Sequence, residues 1–329
     1  MAGGFRLPAR AVQFGGWAQE DDQLHVSVVV AAYSLDRWDS LLAAMASVAA
    51  QTVRPVEAIV VVDHNPELLA RAATALPAAV VVANGNARGL SGARNAGLAC
   101  ASGEVVAFLD DDAVAAPDWL ERLLETYATP AVLGAGGRIV PRWVAGRRPR
   151  WFPEEFDWVV GCSYRGMPTA TAPVRNLIGA NMSYRRDAMI GVGGFREGIG
   201  RVGRRPLGCE ETELGIRILQ RHAGTVLYVP AARVDHVVPA SRTTVRYFLS
   251  RCFAEGLSKA IVARSVGTAS GLSTERAYTL RTLPTGVLAG LRDGIGGDGA
   301  GVARAGAIAA GFATTAAGYA VGRLRPAAA

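Results

Sequence analysis

The sequence predicts an open, mostly parallel α/β sheet followed by a helical C-terminal appendage. Three observations carry this. Short apolar, β-branched runs recur at 25–32 (HVSVVVAA), 57–62 (EAIVVV) and 105–109 (VVAFL), and continuous runs of this kind suit strands buried on both faces of a sheet. Segments of helical periodicity alternate with them up to about residue 127, the pattern of parallel strands joined by crossovers. Acidic residues stand directly after two of the runs, Asp63 after the second and Asp110, Asp111 and Asp112 after the third. Open α/β sheets bind ligands outside the carboxyl ends of their strands.

Residues 1–23 have no clear period and read as a poorly ordered lead-in, with Phe14 and Trp17 able to dock on the body. They lack the basic-then-apolar pattern of a secretory signal. Residues 35–51 place Leu41, Leu42, Met45 and Val48 on one helical face. A helix opened by Pro66 (66–75), a short strand (80–83), a helix that Ser91 can cap (91–101) and a helix at 117–127 complete the alternation. Residues 141–173 are rich in proline and aromatics and read as a long loop over the site. Order returns at 174–184, in a helix at 211–222 and in a short strand at 225–229, before long helical patterns at 243–266 and 273–291. The tail, 299–323, is rich in Ala and Gly. Its uncharged stretch, 305–322, lies between Arg304 and Arg323, with Arg325 beyond. That stretch reaches the length of a bilayer span but lacks leucine, so peripheral attachment to a membrane is favoured over crossing, with packing of its small residues on the body or on another subunit as the alternative. Arg276, Arg281 and Arg292 in the preceding helices suit anionic headgroups.

The chain has 329 residues, half of them hydrophobic, and a net charge of +7, enough apolar content for a full core and unlike a disordered chain. Lys259 is the only lysine. The arginine excess reads either as genome bias or as affinity for phosphorylated substrates and anionic lipid, which the planar guanidinium grips well. No basic run interleaves with aromatics, so nucleic acid is excluded as a partner. Cys100, Cys162, Cys209 and Cys252 are far apart and form no C-x-x-C pair. They read as reduced cytosolic thiols rather than a zinc site or disulfide framework.

Three adjacent carboxylates repel one another unless a cation or solvent relieves them. Hard oxygen ligands suit Mg²⁺ or Mn²⁺, which bridge nucleotide phosphates and neutralise a departing diphosphate. The bland alternative is a solvated turn capping the next helix. His236, just after a strand, is a candidate third ligand, since neutral imidazole suits Mn²⁺. Arg242, Arg246 and Arg251 lie at near-helical spacing and suit a diphosphate or an anionic acceptor, or else a solvated helix face.

Six ordered segments make the chain resemble the family-two glycosyltransferases: VSVVVAAY at Val26, VEAIVVVDHNP at Val56, NARGLSGARNAG at Asn86, FLDDDAVAAPDWL at Phe108, GANMSYRRDAMIGVGGF at Gly179 and CEETELGIRI at Cys209. The resemblance implies a GT-A fold with a catalytic domain at 24–240, made of a nucleotide-binding half (24–128) and an acceptor half (129–240), and a helical region at 241–329. It implies that Asp63, Arg94, Asp110 and Asp111 serve the nucleotide sugar, that Asp110 and Asp112 hold the metal, and that Asn181 and Gly194 belong to the acceptor side. It also implies inversion, with a carboxylate base in the Glu-Asp pair preceding Thr-Glu-Leu. Here Glu211 occupies the usual aspartate position and Glu210 is the fallback. The Q-x-x-R-W motif of processive members is absent, which favours single-sugar transfer. The expected activity is metal-dependent transfer from a nucleotide diphosphate sugar to a hydroxyl acceptor, lipid-linked or part of a cell-envelope glycan. The expected place is the cytoplasm or the inner face of the plasma membrane. The alternatives are a nucleotidyltransferase, which would need an N-terminal basic Gly-rich loop that Ala31-Ala32-Tyr33 does not offer, and a non-catalytic nucleotide-sugar scaffold.

Overall fold

The computed structural model describes residues 24–201, 207–271 and 277–324. The lead-in with Phe14 and Trp17, together with Arg276 and Arg325, lies outside them.

Nine strands form one sheet: β1 (Val26–Ala32), β2 (Glu57–Val62), β3 (Val80–Ala83), β4 (Val105–Asp110), β5 (Ala113–Ala115), β6 (Val132–Trp143), β7 (Ala172–Pro173), β8 (Asn181–Arg185) and β9 (Thr225–Val238). The expected parallel half is present in the order β3-β2-β1-β4. Its connecting helices are α1 (Trp38–Ala49), α2 (Pro66–Ala75) and α3 (Leu90–Cys100). β1 explains why the run was continuous: Val28 and Val30 enter one core and Val29 the other, so both faces are covered. α2 begins as its sequence dictates, with Asn65 Oδ1 accepting from the Leu68 amide at 3.1 Å and Pro66 at the first position. α3 does not. Its cap is Gly89, and the Ser91 hydroxyl donates instead to the Ile199 carbonyl at 2.7 Å, tying the helix start to the distant 199–201 segment.

The second half of the sheet is mixed. β8 runs antiparallel to β4 and to β6, β6 and β9 pair in parallel, and β5 and β7 are short antiparallel additions to β9. Two strands depart from expectation. β6 starts in residues to which the sequence pattern assigned no element and runs into the expected loop, and β9 has 14 residues where a short strand at 225–229 was expected. β6 reads VLGAGGRIVPRW, and glycine weakens any strand signal. Packing demands it: a Cβ on Gly137 would lie 1.6 Å from the Ala232 carbonyl oxygen of β9.

Downstream of β4 come α4 (Trp119–Tyr127), α5 (Arg186–Gly191), α6 (Glu210–Arg221) and α7 (Val245–Val266), the last capped by the Thr244 hydroxyl, which accepts from the Tyr247 amide. The expected loop at 141–173 contains a 3₁₀ segment, Glu154–Val160. Its aromatics serve mainly as core: Phe152 and Phe156 are buried and meet Phe248 of α7 at ring-centroid distances of 5.4 and 5.2 Å. Two more helices, Leu283–Ile295 and Gly299–Leu324, complete the described chain. The final helix runs alongside α7 with Gly256 against the Thr315 carbonyl and Gly318 against the Phe253 carbonyl.

Candidate active site

The sheet turns its strand ends toward a cavity of about 900 Å³. One wall is polar and comes from strand ends and helix starts: Asp110, Asp112, His236, Arg94, Glu210 and Glu211. The rest of the lining comes from α7 and the final two helices, including Tyr247, Arg251, Lys259 and Tyr319, with Trp158 and Met167 from the 141–173 segment.

Asp110 ends β4, and the chain turns back at once into β5. Ala113 of β5 pairs with His236 of β9, which brings the imidazole over the turn. His236 Nε2 lies 3.1 Å from Asp112 Oδ1. Ligand atoms of Asp110, Asp112 and His236 all lie within 4.8 Å of one another. Asp112 is also 2.8 Å from Arg37 Nη2 and 3.6 Å from Arg242 Nη2. Burial works against its ionisation, but His236, Arg37 and Arg242 together prevail and hold its pKa below the ordinary carboxylate range. Asp112 is thus kept ionised and oriented by its neighbours.

Asp111 behaves differently. Its side chain is buried and pairs with Arg37, and it does not line the cavity. Burial pushes its pKa up to about 7 against the pull of Arg37. Asp111, expected at the nucleotide sugar, thus turns to Arg37, while Asp110 and Asp112 line the cavity on either side of it.

Arg94 is a hub. Fully buried in α3, it donates to Asp110 Oδ1 at 3.1 Å, Glu210 Oε1 at 3.0 Å and the Gly179 carbonyl at 3.0 Å. It joins the carboxylates of β4 to those of α6. Glu210 is buried, with Oε2 lacking a hydrogen-bond partner. Glu211, beside it in the cavity wall, has its pKa raised to about 8, first by burial and then by the Glu210 charge. A carboxylate with that pKa is a far stronger base than an exposed one.

The remaining expected residues scatter. Asp63 stands at the end of β2, where its carboxylate accepts from Asn84 Nδ2 at 2.6 Å and the Gly89 amide at 3.0 Å, bracing the Gly-rich loop beside the cavity. Arg242 lines the cavity, whereas Arg246 is exposed and does not. Asn181 is buried within the sheet, holding the Trp119 indole at 2.8 Å and the Ala232 carbonyl at 2.8 Å. Gly194 adopts φ +68 against the Asn95 amide oxygen. Neither of these residues, expected on the acceptor side, lines the cavity, and within the protein Asn181 bonds Trp119 and Ala232 while Gly194 abuts Asn95. Arg37 was not foreseen. It lies in the short 3₁₀ turn Leu35–Arg37 just after β1, at the same sheet edge as the aspartates, and that position was its available signal. The α7 wall had no such signal beyond Arg251.

A family model for "Glycosyl transferase family 2" matches residues 27–193. The chain is also 40% identical over 243 residues to the glucosyl-dolichyl phosphate glucuronosyltransferase of Haloferax volcanii, covering 73% of this chain and 77% of that protein.

The chain belongs to glycosyltransferase family 2.

A second family relative is the succinoglycan biosynthesis protein ExoM of Rhizobium meliloti, 28% identical over 283 residues and covering 83% of each chain. Among solved structures, the mannosyltransferase from Pyrobaculum calidifontis in complex with GDP-Man and Mn2+ superposes with a TM-score of 0.56 at 16% identity, over 90% of this chain and 88% of that one. GalNAc-T7 with UDP, GalNAc and Mn2+ gives 0.51 at 18% identity over 79% of this chain, which spans 54% of that structure. Both likenesses concern the fold, which is GT-A. Family membership sets aside the nucleotidyltransferase alternative.

Proposed function

We propose that this glycosyltransferase is a metal-dependent, inverting enzyme that moves one sugar from a nucleotide diphosphate sugar to a hydroxyl acceptor carried on a lipid. The observation that carries the reading is the link made by Arg94 between the Asp110, Asp112 and His236 group and the Glu210–Glu211 pair across one cavity.

The donor set fits a divalent cation. Two carboxylates and an imidazole converge, Asp112 is held ionised, and this mixture of hard oxygen and imidazole ligands suits Mn²⁺, with Mg²⁺ as the alternative. When bound there, the ion would supply charge neutralisation for the departing diphosphate. The chain's own groups do the rest. Arg37 and Arg242 steady Asp112, and Arg242 is placed to meet phosphate oxygens. Asp63 and the loop it braces take the nucleoside end of the donor. Glu211 accepts the proton of the attacking hydroxyl, while Arg94 limits the charge on neighbouring Glu210. Attack from the Glu211 side with departure on the metal side inverts the anomeric centre.

The lipid-linked acceptor is supported by the Haloferax relative, whose name specifies a dolichyl phosphate substrate, and such an acceptor fits work at the cytoplasmic membrane face. The test is a thermal-shift screen with UDP-glucuronic acid, UDP-glucose and GDP-mannose, each with Mn²⁺ and with chelator. At least one donor should raise the melting temperature only when Mn²⁺ is present. Equal shifts in chelator would overturn the metal reading, and no shift with any nucleotide sugar would overturn the donor class.

A further inference from the structure

The helix Leu283–Ile295 and the π-helical turn before it, Tyr278–Thr282, carry an apolar stripe that stands exposed among the described residues. Leu280, Pro284, Leu288, Leu291 and Ile295 recur every three or four residues, and all are exposed. Leu280 is 74% exposed, Leu288 63% and Ile295 91%. Large aliphatic side chains seldom stand in such a row on a protein that faces only water. Arg281 and Arg292 each follow a stripe residue by one position and are themselves exposed, so positive charge flanks the stripe.

The opposite sign is sparse there and paired. Among the described residues from 277 onward the acids are Asp293 and Asp298; Arg304 meets them at 2.7 and 3.2 Å, and Arg150 meets Asp298 at 2.6 Å. The neighbouring helix Gly299–Leu324 adds Val302 and Leu324 as exposed apolar side chains and Arg323 as an exposed cation. An amphipathic helix with an aliphatic face bordered by arginines lies in the plane of a bilayer interface, its apolar side chains among the acyl chains and its cations at headgroup phosphates.

We propose that the outward face of these two helices is a docking surface for an anionic lipid leaflet, with Leu280, Leu288 and Ile295 inserting and Arg281 and Arg292 at the headgroups. The proposal rests on the lipid-linked acceptor reading. It adds the surface and the orientation, because the inner faces of the same two helices, through Leu283, Phe312 and Tyr319, line the active-site cavity. Docking by the outer face therefore sets the cavity beside the leaflet from which a lipid-borne acceptor must come. The final helix is long and apolar enough to cross a membrane by length and composition. However, Gly256, Gly318 and Gly322 seal it against α7, and spanning would strip those contacts. Peripheral attachment keeps them.

The experiment is co-flotation of the full chain with vesicles of pure phosphatidylcholine and of phosphatidylcholine containing phosphatidylglycerol, at physiological salt. The wild type should float with the anionic vesicles and remain below with the zwitterionic ones. Leu288→Glu with Ile295→Glu should lower the bound fraction at least tenfold, and Arg281→Ala with Arg292→Ala should weaken binding to anionic vesicles alone. Both variants alter exposed side chains, so donor-induced thermal shifts should match the wild type. This separates failure of docking from failure of the nucleotide-sugar reading. Wild type that stays unbound to anionic vesicles, or a Leu288→Glu, Ile295→Glu variant that floats like wild type, would overturn the proposal. So would sedimentation showing a wild-type dimer that this variant dissolves, because the stripe would then be covered by a second copy of the chain.

Discussion

The two walls of the cavity are held by different physics. The strand-edge wall is a network of buried charges: Arg94 between Asp110 and Glu210, and Arg37 between Asp111 and Asp112. Each member depends on its neighbours, because a buried charge left alone costs several kcal/mol. The helical wall is held by close backbone approach, with glycines letting α7 and the final helix touch, and by the Phe152, Phe156 and Phe248 ring cluster. The comparison teaches that this enzyme separates chemistry from enclosure. Reactive groups sit where the sheet must present them, and the enclosing helices are attached by packing that says little about the reaction.

The strongest way to break this division is at the metal group. Asp112→Asn keeps the side-chain shape but removes the charge that His236, Arg37 and Arg242 converge on. Transfer should fall by roughly a thousandfold, the scale of several kcal/mol of lost charge stabilisation, with Mn²⁺-dependent donor binding lost and the near-UV circular dichroism unchanged. Retained turnover in chelator-treated wild type would count against a metal role for this residue.

Glu211→Gln comes next, with a drop of roughly a hundredfold or more in turnover and little change in donor affinity, as for loss of a general base. Should Glu210→Gln be the inactive variant instead, the base is one residue earlier. The pH profile sharpens the assignment. Burial and Glu210 hold the Glu211 pKa near 8, and only the deprotonated form accepts a proton. The kcat/KM of the wild type should therefore climb with pH until about 8 and level above it, and this limb should vanish in Glu211→Gln. A flat wild-type profile from pH 6 to 9 would contradict the base assignment.

The smallest effect belongs to the helical wall. A Cβ on Gly318 would lie 2.1 Å from the Phe253 carbonyl oxygen of α7, so Gly318→Ala must push the helices apart. The expected cost is about 1–3 kcal/mol in chemical denaturation, with the donor-induced thermal shift retained because no strand-edge residue moves. Loss of donor binding in this variant would show that the two walls are not independent.

Legibility followed the same division. The parallel half was readable because its strands are buried on both faces, so the apolar runs could not be interrupted. β6 was not, since packing against β9 forces glycine where a strand signal would need β-branched residues. The 141–173 segment was readable as a site cover but not as core, because aromatic composition does not reveal which rings meet Phe248.

At the site, the sequence by itself determined which chemistry was available: adjacent carboxylates after a strand, a Gly-rich loop and an acidic helix start, each tied to a local position that the backbone period dictates. The tertiary structure decided which of those groups work together. It turned Asp111 into a buried partner of Arg37, left Asp110 and Asp112 facing the cavity, and placed His236 on them through the β5–β9 pairing. It withdrew Asn181 into the sheet and made Arg94 the bridge to Glu210. The physical reason is range. Strand alternation and helix starts act over a few residues, whereas Arg94 and Glu210, or Asp112 and His236, stand more than a hundred positions apart. Such pairs meet only after the sheet has closed.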